Sequence, residues 1–402
     1  MAPRTARVVF YTGKGGVGKT TTAAATAAQA AARGARTLVL SADPAHSLGD
    51  VLKVRLGPDP TRIAPRLAAL EVDARAEMER HWGSIRDYLV ALFRHQGIEE
   101  VVADELALLP GAEEMASLLA LEEHARSGAF DLVVVDCAPT GSTLRLVTLP
   151  EVASRTFRLV LRIQRALASV VTPVARTLVP VPLPGSEVFR DVDRLLYGRL
   201  ASIRELLVGG RTSVRIVVTP ERMVIDEAVR AHMDLCLFEV PCDAVVMNRL
   251  LPPEAAAEAF FEDWARVQEE RCAEVAERFA PLPLLRAPLA RDEVVGAAAL
   301  ADHGAQLFRG ADPGARLCAA PRLRFSRRRD VWRVDLPLPN ARGAELDVAK
   351  LDDALLVRAG ALRRAIPLPR KLAHLSLAGA SLEGDRLIVR LVPAGAPAPE
   401  TA

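Results

Sequence analysis

The segment Gly13-Lys14-Gly15-Gly16-Val17-Gly18-Lys19-Thr20 constrains this chain more than any other stretch. It has the spacing G-x-x-x-x-G-K-[ST]. The apolar run RVVFYT at 7–12 precedes it, and an Ala-rich run at 21–33, stopped by Gly34, follows. That order predicts strand, loop and helix, the opening unit of a parallel α/β sheet. Glycines let the loop turn its backbone N–H groups inward around phosphate oxygens. Lys19 then places a point charge beside the β- and γ-phosphates, and the Thr20 hydroxyl offers an oxygen to Mg2+. The following helix aims its positive end at the same anion. Residues 13–20 and the adjoining Thr21 are therefore the expected nucleotide-contacting set.

The rest of the chain extends this pattern. TLVL at 37–40, DLVVVD at 131–136, VRIVV at 214–218 and DAVVM at 243–247 read as strands, and PLPLL at 281–285 as a further short apolar run. The unbroken apolar character of 131–136 fits the centre of a parallel sheet. Residues 73–128 and about 150–209 read mostly as helices, the second with a Pro-rich interruption at 180–185, and a helix is expected near 254–279. After about residue 312 the pattern changes to short β-like pieces over 321–392, the mark of a small sandwich. The expected organisation is an α/β domain over 1–312 with helical insertions, an all-β sandwich over 317–393 and a disordered tail over 394–402.

Charge and cysteines narrow the function classes. The chain has 52 basic and 50 acidic residues, so nothing supports whole-chain steering toward nucleic acid. The charge is unevenly placed: 317–393 carries 15 basic and 8 acidic side chains, a net +7, leaving −5 on the remainder. The sandwich can dock on the body, face an acidic partner, or present a solvated basic surface. Only five residues are lysine, two of them Lys14 and Lys19. The five cysteines lack any C-x-x-C pair, which fits reduced thiols in a cytosol. No apolar run reaches the ~18–20 residues of a membrane span, and the N-terminus leaves no room for a signal peptide, so a soluble cytoplasmic protein is expected, with at most peripheral membrane association.

Two strand ends carry acids. Ser41-Ala42-Asp43-Pro44-Ala45-His46-Ser47-Leu48-Gly49-Asp50 follows the second strand. An Asp at a strand's C-terminal end can orient or deprotonate an attacking water. It can equally form an Asx turn before Pro44. Asp136-Cys137-Ala138-Pro139-Thr140-Gly141-Ser142-Thr143-Leu144-Arg145 follows the central strand, and Asp136 is the expected partner of a metal-bound water.

These segments resemble one family. KGGVGKT resembles the deviant phosphate loop of the ATPases that include ParA, MinD, the nitrogenase iron protein, ArsA and Get3. SADPAHSLGD looks like the first switch, and DCAPTGSTLR the second switch, of the ArsA/Get3 ATPases. Cys137 stands where the family has Thr and Ser142 where it has His, which weakens any metalloid relay through the second switch. VVMNRLL resembles the segment whose Asn, here Asn248, reads the adenine edge. The resemblance covers roughly 7–310 and implies a P-loop NTPase fold, ATP and Mg2+ as cofactors, and a nucleotide-sandwich homodimer in which Lys14 crosses to the partner's nucleotide. It assigns Asp43, with Lys14 and Lys19, to catalysis, and Thr20, Asp43 and Asp136 to the metal. His46 and Asp50 would move with the first switch. The C-terminal part resembles the α-crystallin/Hsp20-like domain, through its RRAIPLP strand and the late LEGDRLIV strand.

The client is open among three classes. An apolar protein segment, as in targeting of tail-anchored membrane proteins, needs a greasy groove. Candidates are 99–127, with Leu106, Leu108, Leu109, Met115, Leu118, Leu119 and Leu121, and 152–183, where Arg155, Arg158, Arg162, Arg165 and Arg176 interleave with apolar residues. The same leucines can be ordinary core. Arsenite or antimonite, as in ArsA-type efflux, needs converging thiolates, and no clustered triad is evident. A protein-remodelling or regulatory ATPase with an unidentified client is the third; the alternative of a different class is a nucleotide-dependent holdase or membrane-associated scaffold, with hydrolysis only as a timer. The Hsp20-like part leans toward protein clients.

Overall fold

The computed structural model describes residues 4–45, 47–74, 112–138, 198–319, 321–329, 331–342, 345–351 and 353–393, with isolated helical positions between 76 and 148. The stretch 152–183, most of 73–111, and His46, Pro139, Ser142 and Arg145 lie outside the described residues, as does the expected tail.

The chain opens with strand β1 (Arg7–Thr12) and helix α1 (Lys19–Ala32). Seven alanines of α1 are buried, so the helix backbone can lie close to its neighbours. The helix stops where Gly34 takes φ +101°, with its N–H on the Ala31 carbonyl at 2.9 Å, a left-handed C-terminal cap. Strand β2 (Thr37–Ser41), a short helix α2 (Ser47–Leu52), strands β3 (Thr61–Ala64) and β4 (Leu67–Glu71), helix α3 (Ala112–Arg126), strand β5 (Leu132–Asp136) and helix α4 (Leu200–Val208) follow. Then come β6 (Thr212–Val218), α5 (Arg222–Leu237), β7 (Cys242–Leu250), α6 (Glu262–Arg278), β8 (Leu284–Pro288) and α7 (Ala297–Phe308). The eight strands form one sheet in the order β3-β4-β2-β5-β1-β6-β7-β8. The β2–β4, β2–β5, β6–β7 and β7–β8 pairs are parallel and β3–β4 is antiparallel. Strands β2 and β5 bury all five residues each, as strands in the middle of a sheet covered on both faces do.

The β3–β4 hairpin at the sheet edge and helices α5 and α7 were not legible in the sequence. The helix expected near 254–279 is broken into a one-turn helix at Pro253–Ala256, a 3-10 turn at Ala259–Phe261 and α6. The apolar run at 281–285 pairs as a strand only from Leu284, beyond its prolines, which have no N–H to give a ladder.

The leucines of the first candidate groove are core wherever they are described. Met115, Leu118, Leu119 and Leu121 on α3 are at most 4% exposed. The helix is pinned on α4 by Glu122, which accepts from Arg199 Nε at 2.9 Å and from Ser202 Oγ at 2.6 Å. So this part of 99–127 is not an open client groove. Leu106, Leu108 and Leu109 lie outside the described residues.

By its own internal contacts the chain divides into two compact units. The first comprises Met1–Val9, Thr20–Thr212 and Val294–Gly304. The second comprises Phe10–Lys19, Ser213–Glu293 and Ala305–Ala402, and so includes the C-terminal strands. Those strands form two antiparallel sheets. One is four-stranded and holds β9 (Arg324–Arg328) and β10 (Val331–Pro337). The three-stranded sheet follows, with β11 (Leu346–Lys350), β12 (Ala354–Ala359) and β13 (Leu362–Pro367). Strands β14 (Ser376–Glu383) and β15 (Arg386–Val392) return to the first sheet, giving the order β14-β15-β10-β9.

Within the second unit the sandwich docks on the helices that precede β7 and β8. Arg364 of β13 is 3% exposed and donates to the Leu237 carbonyl and to Glu239, each at 2.5 Å. Asn340 donates to the Arg278 carbonyl at 2.8 Å. Leu237 and Arg278 are the last residues of α5 and α6, so the sandwich satisfies one terminal carbonyl of each helix. Docking on the body is thus one of the three placements open from charge alone, and Arg322, Arg324, Arg327, Arg328 and Arg329 stay exposed beside it, as a solvated basic surface or an acidic partner would require.

Candidate nucleotide site

The phosphate loop is shaped by what its glycines touch. Gly13 has φ +150°, and a Cβ there would lie 2.3 Å from the Val217 carbonyl of β6. Gly18 has φ +88°, and a Cβ there would lie 2.4 Å from Asn248 Nδ2 of β7. Both positions need glycine for conformation and for space. Gly15 and Gly16 are exposed at the loop's tip, while Val17 is buried beneath it. Lys19 is 6% exposed, and its Nζ donates to the Lys14 carbonyl at 3.2 Å. The ammonium is thus folded over its own loop, where phosphate oxygens would meet it. Lys14 is half-buried.

The switch segments of the first unit leave from paired strand ends. Ser41 of β2 lies opposite Asp136 of β5 in parallel register, and the Ala42 N–H donates to the Asp136 carbonyl at 2.9 Å. Asp136 is fully buried at the end of an apolar strand. Asp43 accepts the Ala45 N–H on Oδ1 at 3.0 Å, so it does form the Asx turn that its place before Pro44 allows. That bond occupies one oxygen and holds the carboxylate at the strand's end, so the turn and a role toward water are compatible. Further along, the Thr20 and Ser47 hydroxyls are 3.1 Å apart, joining the start of α1 to α2. Glu71 holds the Gly49 N–H at 3.0 Å. A cavity of about 560 Å³ lies beside this segment, lined in part by Asp43, Pro44, Glu71, Asp73, Glu113 and Ser117.

Ser47 and Glu71 were not singled out from the sequence. A hydroxyl within the first switch was visible there, but its pairing with Thr20 depends on where α2 begins. Glu71 belongs to the unforeseen hairpin. Asn248, expected at the adenine edge, is 7% exposed and donates to the Val17 carbonyl at 2.8 Å. Thr21 lies on the first turn of α1, half-buried.

A mostly parallel sheet with a Gly-rich loop between its first strand and first helix defines a P-loop nucleoside triphosphatase. The chain belongs to the anion-transporting ATPase family, whose model matches residues 6–309. The HSP20-like domain found in ArsA matches residues 329–391. A Chlorobaculum tepidum protein named as an arsenical pump-driving ATPase is 36% identical over 376 residues, which is 92% of this chain and 92% of that one. An Aquifex aeolicus protein named as arsenical pump-driving ATPase 1 is 34% identical over 394 residues, 95% of this chain and 99% of its own. A Chlamydomonas reinhardtii protein named ATPase ARSA2 is 28% identical over 330 residues, 78% of this chain and 87% of its own. The chain is an ArsA-family ATPase that uses ATP. Among the described residues no helix is long and apolar enough to cross a membrane.

Proposed function

We propose that this chain is a cytoplasmic, Mg2+-dependent ATPase that works as a nucleotide-sandwich homodimer and couples hydrolysis to an apolar protein client. The observation that carries the ATPase chemistry is the register of β2 on β5, which starts both acidic switch segments side by side. Thr20, Asp43 and Asp136 offer only hard oxygen donors, the chemistry Mg2+ takes. When bound, that ion would neutralise charge developing on the β- and γ-phosphates. The loop N–H groups and Lys19 hold the phosphates, and Asp43 orients the attacking water. Lys14, second in the loop and half-buried in one chain, reaches the partner's nucleotide.

The protein-client reading is supported by the Hsp20-like domain and its fixed seat on the body through Arg364 and Asn340. The names of two relatives, which speak of driving an arsenical pump, favour a second reading, efflux of an arsenical. Against it stands the second switch, where Ser142 takes the place of the His that the ArsA/Get3 pattern carries. The test is steady-state ATP hydrolysis with a detergent-solubilised transmembrane-helix peptide in one arm and arsenite in another. Stimulation by peptide alone supports the proposal. Stimulation by arsenite alone replaces it with the efflux reading. Hydrolysis unaffected by either, with peptide bound, points to a holdase timed by ATP.

A further inference from the structure

Asn248 occupies a place that base recognition does not require. It is 7% exposed near the C-terminal end of β7. Its Oδ1 accepts the Arg249 N–H at 2.9 Å, at a residue with φ +59°. Its Nδ2 donates to the Val17 carbonyl at 2.8 Å. The side chain is thereby locked at both ends, and the amide presses so closely on the loop that Gly18 has no room for a Cβ.

The consequence follows from peptide planarity. In a trans peptide the carbonyl of one residue and the N–H of the next point in opposite directions. Fixing the Val17 carbonyl on Asn248 therefore fixes the Gly18 N–H on the loop's other side. On its far flank the loop rests on the Val217 carbonyl at Gly13. One side-chain hydrogen bond thus sets the orientation of a peptide inside the phosphate cradle.

We propose that Asn248 is a positioning residue for the phosphate loop: by holding the Val17 carbonyl it aims the Gly18 N–H at the phosphate chain, and so sets affinity for polyphosphate whatever base is attached. This rests on the loop being the phosphate site and goes beyond any contact of Asn248 with adenine. A preset donor spares the reorganisation that binding would otherwise require.

The experiment compares the full chain with Asn248→Ala, titrated calorimetrically with inorganic tripolyphosphate and with ATP. Both ligands should weaken by the same factor, about five- to tenfold, the size of one net hydrogen bond. Hydrogen exchange of a peptide spanning 13–20 should quicken in the ligand-free variant. Asn248→Ser, which keeps an acceptor for the Arg249 N–H but cannot reach Val17, should behave alike and serves if the alanine variant folds poorly. Weakened ATP with unchanged tripolyphosphate would make Asn248 a base reader only and overturn the proposal. A lower melting temperature with unchanged tripolyphosphate affinity would make it merely structural and overturn the proposal equally. If the wild-type chain bound neither ligand, the loop's assignment would fail instead.

Discussion

Arg215 and Asp243 form a fully buried ion pair, 0% exposed on both sides, with Nε 3.1 Å from Oδ1. The guanidinium also donates to Tyr11 OH at 3.1 Å and to the Ala315 carbonyl at 3.0 Å, and lies over the Tyr11 and Phe308 rings. The second Asp243 oxygen accepts the Leu317 N–H at 3.3 Å. The pair therefore ties the segment leading into the sandwich to β6 and β7. Asp243→Ala leaves a buried guanidinium with only neutral partners, which costs about 3–5 kcal/mol. Loss of the acceptor for Leu317 adds about 1 kcal/mol. The sum, about 4–6 kcal/mol, rivals the whole stability of a marginal domain. At about 2–4 °C per kcal/mol, the melting temperature should fall by roughly 10–20 °C. Replacing both partners, Arg215→Met with Asp243→Leu, removes the uncompensated charge and should restore most of that loss. Urea unfolding followed by tryptophan fluorescence for Arg215→Met, Asp243→Leu and the two combined gives the double-mutant cycle, and trypsin should cut earlier at Arg316 in Asp243→Ala. Single variants each costing under about 1 kcal/mol, or a double variant equal to their sum, would refute the reasoning.

Asp43→Asn should still bind ATP but lower turnover by about a hundredfold or more, as expected when a water-orienting base is lost; undiminished turnover in a phosphate-release assay removes Asp43 from that role. Lys14→Ala should weaken ATP-dependent dimerisation, and light scattering that shows the same dimer in both proteins sinks the cross-interface role. Two groups on α5 should give the stability opposite dependences on pH. Burial lowers His232 from 6.5 to about 4 against the pull of Asp385, so its contribution is full above pH 6.5 and is lost as pH falls through that window. Burial raises Asp234 from 3.8 to about 6 against Arg230, so its contribution is full below 3.8 and is lost as pH rises toward 6. The slopes oppose each other, and His232→Gln should leave the second alone: relative to wild type, the variant gains stability as pH falls from 6.5 to 4. Parallel melting curves for the two proteins across that range would contradict this.

The sequence alone determined the class of machine. The loop at 13–20, the buried strand at 131–136 and the acids at 43 and 136 were all readable because each rests on local chemistry: glycines that permit positive φ, an apolar run that must be covered, a carboxylate at a strand end. The C-terminal strands were readable by the same token, since alternation and turn residues are local signals. The β3–β4 hairpin was hidden because β3, TRIA, mixes polar and apolar residues at the sheet edge, while β4, LAALE, is a short buried run of good helix formers with no strand period of its own. Only the tertiary structure decided what the leucines of α3 are for, because a helix stripe reads the same whether it meets a client or α4. It also decided that Arg364 meets Glu239 across 125 positions and that Asn248 meets Val17 across 231. Such pairings follow from how strands and helices are stacked, and a linear pattern carries the chemistry of each partner without the distance between them.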